Sequence, residues 1–307
     1  MTEAEFLVAL RRLPLHPGAL DLRDDAARLG DLVLTTDTLV EGVHYLPDDP
    51  AGDVAWKLVA TNLSDLAAKG AVPLGVMLNY PLRAVPSSPE EAGHWDAAFL
   101  EGFAHALTML AAPLLGGDTV SLPAHAPRVI TLTAIGQASA APIRTGARAG
   151  DMLYVTGTIG DAGAGLSVAQ GTVGPAALLA AYRRPQPRLV EGRALAGVVT
   201  AMMDVSDGLL IDAQRMGAAS GLAVMVDLAK VPLSDAYRTF AGDDRAARLA
   251  AATAGDDYQL LFAAAPGVAV PCAATCVGLF AAGNGLMLVD ETEAVPIPGN
   301  LGFQHNR

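Results

Sequence analysis

The sequence predicts a mixed α/β or α+β protein of two domains joined near residue 140. Three observations carry this. Strand-like and helix-like segments alternate along the whole chain, and its 307 residues are more than one ordinary core needs. A short polar, glycine-containing stretch, SAAPIRTGARAGD (139–151), is the best linker between the two runs. The expected domains are residues 1–140 and 141–307.

The elements follow in order. After an opening helix-like stretch, DLVLTTDTLV (31–40) has the weak alternation and β-branched content of a strand. DVAWKLVATNLSDLAAKGA (53–71) has apolar residues at helical spacing and a stop at Gly70. PLGVMLNYPL (73–82) reads as a strand, EEAGHWDAAFLEGFAHALTML (90–110) as a long amphipathic helix, and APRVITLTAIGQA (126–138) as a further strand. Beyond the linker, DMLYVTGTIGDAGAGLSVAQ gives strand, glycine-rich turn and helix. RRPQPRLVEGRALAG turns helical after two prolines, and LIDAQRMGAASGLAVMVDL gives helix, glycine stop and strand. GDDYQLLFAA and AATCVGLFAAG supply two more strands.

Composition narrows the function. The chain is 52% hydrophobic, yet no apolar run reaches the roughly 18–20 residues a membrane helix needs. The start, MTEAEFLVALRRL, lacks the basic-then-apolar order of a signal peptide, so a soluble cytoplasmic protein is expected. Twenty Lys and Arg against 32 Asp and Glu give a net charge of −12, which argues against a nucleic-acid partner. It does not argue against a nucleotide, because Mg²⁺ bridges acidic residues to phosphates. Cys272 and Cys276 have no neighbouring His and no second cysteine pair, so they read as buried thiols rather than a redox pair or half a metal site.

The acidic residues need the most explanation. Asp24, Asp25, Asp37, Asp65, Asp118, Asp204 and Asp207 sit at expected element ends, nearly all beside Ser, Thr, Gly or Asn. In AMMDVSDGLL (201–210) two of them lie in an apolar run with no Lys or Arg until Arg215. Each has a structural explanation: an Asx-turn at Asp37, a turn at Asp118, an N-cap or first turn at Asp65 and Asp207, a solvated loop at 24–25. Together they fit that explanation less well, since several carboxylates in one cleft survive only with protons or cations among them. The scarcity of His and Cys nearby favours a hard cation such as Mg²⁺ over zinc. The glycine-rich TGTIGDAGAGL (156–166) is either a phosphate cradle or a tight strand-to-helix turn with Asp161 near the N-cap. It is neither a Walker A loop nor a dinucleotide fingerprint.

The motifs DDAARL, TTDTLVEGVHY, KLVATNLSDLAAKGAVP, LLGGDTV, RTGARAGDMLYVTGTIGDAGAGL, RPQPRLVEG, DVSDGL and AGDDYQLLF, in this order, resemble the thiamine-monophosphate kinases. That family is grouped with aminoimidazole ribonucleotide synthetase and selenophosphate synthetase. The resemblance spans residues 24 to 263. It implies the two-domain synthetase-like architecture, with an N-terminal sheet domain pairing in a homodimer and a C-terminal α/β domain. It implies direct transfer of the γ-phosphoryl group of ATP to thiamine monophosphate. Position by position it implies Mg²⁺ ligation by Asp25, Thr36, Asp37, Asp65, Asp118, Asp204 and Asp207. It implies ATP contacts at Thr35, Gly117, Asp118, Arg144 and Ser206, and substrate contacts at His44, Asp256 and Phe303. No covalent nucleophile is implied.

The chain departs from the family pattern in two places. Glycines usual before the first Asp pair are replaced by DLRDD (21–25), and Gly-Glu-Asp-Tyr-Glu becomes Gly255-Asp256-Asp257-Tyr258-Gln259. Two alternatives stay open. One is a sister ATP-dependent enzyme of the aminoimidazole ribonucleotide synthetase type, the selenophosphate and hydrogenase-maturation relatives being disfavoured by the absence of a cysteine before 272 and of a C-terminal one. The other is a non-catalytic acidic protein that binds divalent metal.

Overall fold

The structure, a computed structural model, describes residues 2–83 and 89–304. The N-terminal half contains helix α1 (Glu3–Leu10), strands β1 (Ala27–Leu29) and β2 (Leu32–Val40), helix α2 (Ala51–Ala68) and strand β3 (Val72–Arg83). Helix α3 (Pro89–Met109) and strands β4 (Leu114–Leu122) and β5 (Val129–Gln137) complete it. Its sheet runs β1-β2-β5-β3-β4, antiparallel except for the parallel β3/β4 pair at one edge.

The second half opens with β6 (Met152–Thr156), helices α4 (Asp161–Ala169), α5 (Ala176–Arg183) and α6 (Leu189–Leu195), and β7 (Ala201–Asp204). Helix α7 (Leu209–Ala219), strand β8 (Ala223–Asp227), and helices α8 (Asp235–Ala241) and α9 (Arg245–Ala252) follow. Strands β9 (Leu260–Ala264), β10 (Ala274–Ala281), β11 (Gly285–Asp290) and β12 (Glu293–Val295) close the chain. The seven-stranded sheet runs β12-β11-β8-β10-β6-β9-β7, with β11/β8 as its parallel pair. Both sheets are mixed, which is the α+β side of the expectation.

Helix α2 holds the two halves together. Fifteen of its eighteen residues are buried, so it is an internal element rather than a surface helix with one apolar stripe. Its first turns pack into the N-terminal core with β2, β5 and α3. Ala67 and Ala68 at its end join a small cluster with Leu195, Met202, Leu260 and Phe262 from the other half. Gly70, at φ +59, ends the helix as the sequence suggests.

Two expectations change here. The glycines of LLGGDTV do not make a turn, because the segment is strand β4. A Cβ at Gly117 would run into the backbone of Leu78 on β3, so glycine serves close strand approach there. Cys272 and Cys276 are free thiols, as expected, but half-buried rather than buried. Strand β10 begins at Ala274, which leaves Cys272 ahead of the strand and Cys276 as its third residue.

Helices α2 and α3 cross at Gly52 and Gly102, where a Cβ on residue 102 would strike the Gly52 backbone. Gly102→Ala should therefore destabilise the protein by about 1–3 kcal/mol, the usual cost of overpacking. Denaturant unfolding of the variant measures it, and an unchanged midpoint would show that the helices separate freely.

Candidate active site

A cavity of about 740 Å³ is walled by both halves of the chain. Asp37, Asp65, Asp204, Asp207 and Asp256 line it, with Ser206, His44 and Phe303. Eight of the residues singled out from the sequence are thus brought to one place.

Helix α2 supplies one wall. Lys57, Thr61, Asp65 and Lys69 recur every fourth residue and so run along one stripe of the helix. Asp65 sits in the last turn of α2, where the negative helix end opposes a carboxylate, so the N-cap explanation fails. It accepts a hydrogen bond from Thr35 Oγ1 at 2.5 Å. Asp37 lies inside β2, not at its end, and its backbone N–H donates to Asn62 Oδ1 at 3.0 Å. Asp204 ends β7 and accepts from Ser64 Oγ at 2.5 Å. Asn62 and Ser64 were missed by sequence reading, although they share the NLSD motif with Asp65.

Asp24 and Asp25 are not a solvated loop, since both side chains are only 4% exposed. The buried Lys69 lies 2.5 Å from Asp24 Oδ1 and 2.8 Å from Asp25 Oδ2, the second contact without hydrogen-bond alignment. Arg144 pairs with Asp25 Oδ1, and its backbone N–H donates to Asp24 at 3.1 Å. The loop leading in, which lacks the family's glycines, holds Leu20, Asp21 and Leu22 at φ +51, +56 and +52. Such left-handed non-glycine residues cost about 1–3 kcal/mol each. Arg11 braces them through the carbonyls of Asp21 and Leu22 at 2.9 and 3.1 Å.

These neighbours have unequal charge. Among the described residues Asp37, Asp65 and Asp204 have no Lys or Arg at ion-pair distance. Burial, then the nearby carboxylates, raises Asp37 to about 6, Asp204 to about 8 and Asp65 well above the ordinary range. Burial alone would raise Asp25 too, but Lys69 and Arg144 outweigh it and hold it at about 2.

The loop after β7 gives the pair Asp204 and Asp207 different surroundings. Asp207 precedes Gly208, the N-cap of α7, and pairs with Arg215. The capping is done by the fully buried Asp212, which accepts from the amides of Asp207 and Gly208 at 3.1 and 3.2 Å. Asp212 was passed over because an acidic residue in a first helical turn is commonplace.

Two amides of the glycine-rich turn before α4 are already taken within the chain. Buried Asp257 accepts from Gly160 N at 2.8 Å and Ala162 N at 3.4 Å. The tight-turn explanation is the right one for that segment. In the same 255–259 stretch, Asp256 and Tyr258 take left-handed backbone angles, φ +68 and +49. Asp256 Oδ2 lies 2.7 Å from Lys57 Nζ, and Oδ1 accepts from the Tyr258 hydroxyl at 3.1 Å. Gln259 faces inward to Thr156 and Arg188, so the carboxylate missing at this position is not a loss to the cavity wall. The backbone of Phe303 is tied to Asp207 O at 2.9 Å, which brings the C-terminal stretch onto the site. Residues 305–307 of the GFQHNR tail lie outside the described residues.

Some candidates stand apart. The Thr36 hydroxyl points to the other sheet face, donating to Leu132 O at 3.0 Å. Gly117 and Asp118 are exposed on edge strand β4, three strand spacings or about 14 Å from β2. Asp25 and Arg144 are not part of the cavity lining, and Arg144 is linked to its carboxylates through Asp25, an electrostatic neighbour of Asp65 and Asp204. Among the described residues no three His, Cys, Asp or Glu side chains are arranged to close on one ion.

Residues 23–138 match the family model for the AIR synthase related protein, N-terminal domain, and residues 148–294 that for the C-terminal domain. The thiamine-monophosphate kinase of Caulobacter vibrioides is 39% identical over 99% of this chain and 91% of its own. The structure of AaThiL complexed with AMPPCP and TMP is similar with a TM-score of 0.86 at 26% identity, covering 99% of this chain and 97% of that one. The thiamine-monophosphate kinase structure from Stenotrophomonas maltophilia gives 0.76 at 34% identity, covering 96% and 99%.

Acids whose native pKa lies above the unfolded one bind extra protons when folded, so their stabilisation is complete at low pH and disappears as pH rises through the native pKa. Asp37 and Asp204 place that window between about 4 and about 8. The melting temperature of metal-free protein should fall across it, and Asp204→Asn should flatten the upper part. Asp25 works the opposite way, losing its contribution only as pH falls from about 4 toward about 2. A wild-type profile flat from pH 5 to 8 would contradict the crowding described above.

Proposed function

The chain belongs to the thiamine-monophosphate kinase family of AIR synthase related proteins, and on that premise we propose that it phosphorylates thiamine monophosphate with ATP in a Mg²⁺-dependent reaction. The observation that carries the reading is the cavity itself. Five carboxylates line it, and three of them lack a basic neighbour among the described residues. Ionised together, those three are answered only by cations, and without one they keep protons.

The donors fit Mg²⁺. They are hard oxygens, they are crowded enough to raise one another's pKa, and no thiolate is among them. Mg²⁺ commonly takes one or two carboxylates and completes its shell with water and substrate phosphate, so side chains that do not close on an ion by themselves are compatible with it. Asp25, Asp37, Asp65, Asp204 and Asp207 would hold it, with Thr36 able to contribute only a backbone oxygen. Bound there, the metal supplies neutralisation of phosphate charge, which phosphoryl transfer requires more than any covalent step.

The chain's own groups do the positioning. Arg144 can exchange its Asp25 partner for a phosphate, offering a planar fork that lysine lacks. Thr35, Gly117 and Ser206 are assigned to ATP with it. His44, Asp256 and Phe303 take the thiamine end, beside the apolar Leu39, Val43 and Leu166. Asp118 and Gly117 sit too far along the sheet to act within one chain, so we assign them to the site of a second copy in a homodimer. Exposed Met77, Val120 and Val129 on the same sheet support burial against such a partner. Among the described residues no helix is long and apolar enough to cross a membrane, and a cytoplasmic location suits an enzyme that draws on ATP.

A single incubation with ATP, Mg²⁺ and thiamine monophosphate tests the reading. ADP should appear in step with thiamine diphosphate; ADP without it would move the acceptor to a sister family. Asp65→Asn should cut turnover by about a hundredfold or more while raising the melting temperature of metal-free protein. A variant that kept full activity would remove Asp65 from the site.

A further inference from the structure

Lys57 is not accounted for by phosphoryl transfer, by the metal or by core packing. Its side chain is 3% exposed, and an ammonium so far from water costs several kcal/mol unless it is well partnered. The partners come from three separate segments. Nζ donates to the His44 carbonyl at 3.0 Å, lies 2.7 Å from Asp256 Oδ2, and stands over the Tyr182 ring at 4.3 Å.

The geometry points to Lys57 as a positioning residue for the acceptor, joining the His44 turn and Asp256 into one surface that receives the cationic heterocycle of thiamine monophosphate. This rests on the function proposed above. The ammonium is enclosed while the Asp256 side chain is 36% exposed, so the carboxylate and not the lysine meets the ligand. Lys57 and Tyr258 take one carboxylate oxygen each, which leaves Asp256 little freedom to rotate. The restraint matters because residues 256 and 258 sit at strained backbone angles that surrounding contacts must maintain. An aspartate held still at the cavity wall, with Leu39, Val43 and Leu166 nearby, suits a flat cation better than a neutral ring.

The test compares Lys57→Met with wild type in affinity for each substrate, from KM values and from thermal shifts with thiamine monophosphate or Mg-ATP alone. We expect KM for thiamine monophosphate to rise about tenfold or more, the loss of a charged hydrogen bond, with KM for ATP within about twofold. Asp256→Asn should show the same selectivity, and the double variant should lose little more than the worse single one. Equal weakening of both substrates, or none, overturns the inference. If Lys57→Met does not fold, Lys57→Gln carries the test: it keeps a donor for Asp256 and should show a smaller loss with the same selectivity. Wild-type turnover is measured alongside. Its absence would sink the proposed function, whereas normal wild-type turnover with an unselective Lys57 variant would sink only this assignment.

Discussion

The repulsion among carboxylates held out of water at the end of α2 is the constraint to which the rest of the site answers. Two unit charges 4 Å apart at an effective dielectric of 20 repel by about 4 kcal/mol, and here Asp25, Asp37, Asp65 and Asp204 are all electrostatic neighbours. The protein relieves this on one flank only. Lys69 and Arg144 neutralise Asp24 and Asp25, while the other three are left to protons or to a cation from outside. A fully compensated cluster would be more stable and would have nothing to offer a phosphate.

Such a cluster needs a rigid support, and α2 provides it by being internal. Its polar stripe runs from Lys57 at Asp256 to Lys69 at Asp24 and Asp25, so a single helix spaces the two buried ion pairs. Packing on all sides prevents that stripe from turning toward water. Asn62 and Ser64 then set the β2 backbone and the Asp204 side chain against the same helix, which ties the sheets of both halves to it. Two loops beside the cluster are strained: residues 20–22, braced by Arg11, and residues 256–258, braced by Lys57. Strain persists where surrounding contacts over-determine it, and the braces come from the C-cap of α1 and the middle of α2.

Much of this was legible in the sequence, and for physical reasons. Periodicity found β2, α2, β3, α3 and β5 because each buries one face or all of itself, and burial dictates pattern. The acidic residues stood out because polar groups in apolar runs are costly. What stayed hidden depends on tertiary context. Strand β4 was missed because glycine serves turns and close strand approach alike, and only the pairing with β3 distinguishes them. Asp212 and Asp257 looked like ordinary loop or helix acids, since what marks them is full burial against backbone amides, those of its own preceding loop for Asp212 and those of a distant turn for Asp257. Lys57 offered a signal that went unread: its four-residue spacing with Thr61, Asp65 and Lys69, visible once polar rather than apolar periodicity is followed.

Asp257 also explains why charge in this site is handled by acids. A glycine-rich strand-to-helix turn is where many nucleotide-binding proteins seat a phosphate, on free amides at the positive end of the helix. Here the chain folds such a turn and then fills it with its own buried carboxylate, bonded to Gly160 and Ala162. With those two amides taken, less of the positive end of α4 is left for a phosphate. Arg144 alone cannot balance it, because a single guanidinium carries one positive charge against several negative ones on a triphosphate. The partly occupied turn before α4 and the acidic cluster around α2 meet in one cavity, where Ala162 and Gly163 face Asp37, Asp65, Asp204 and Asp207.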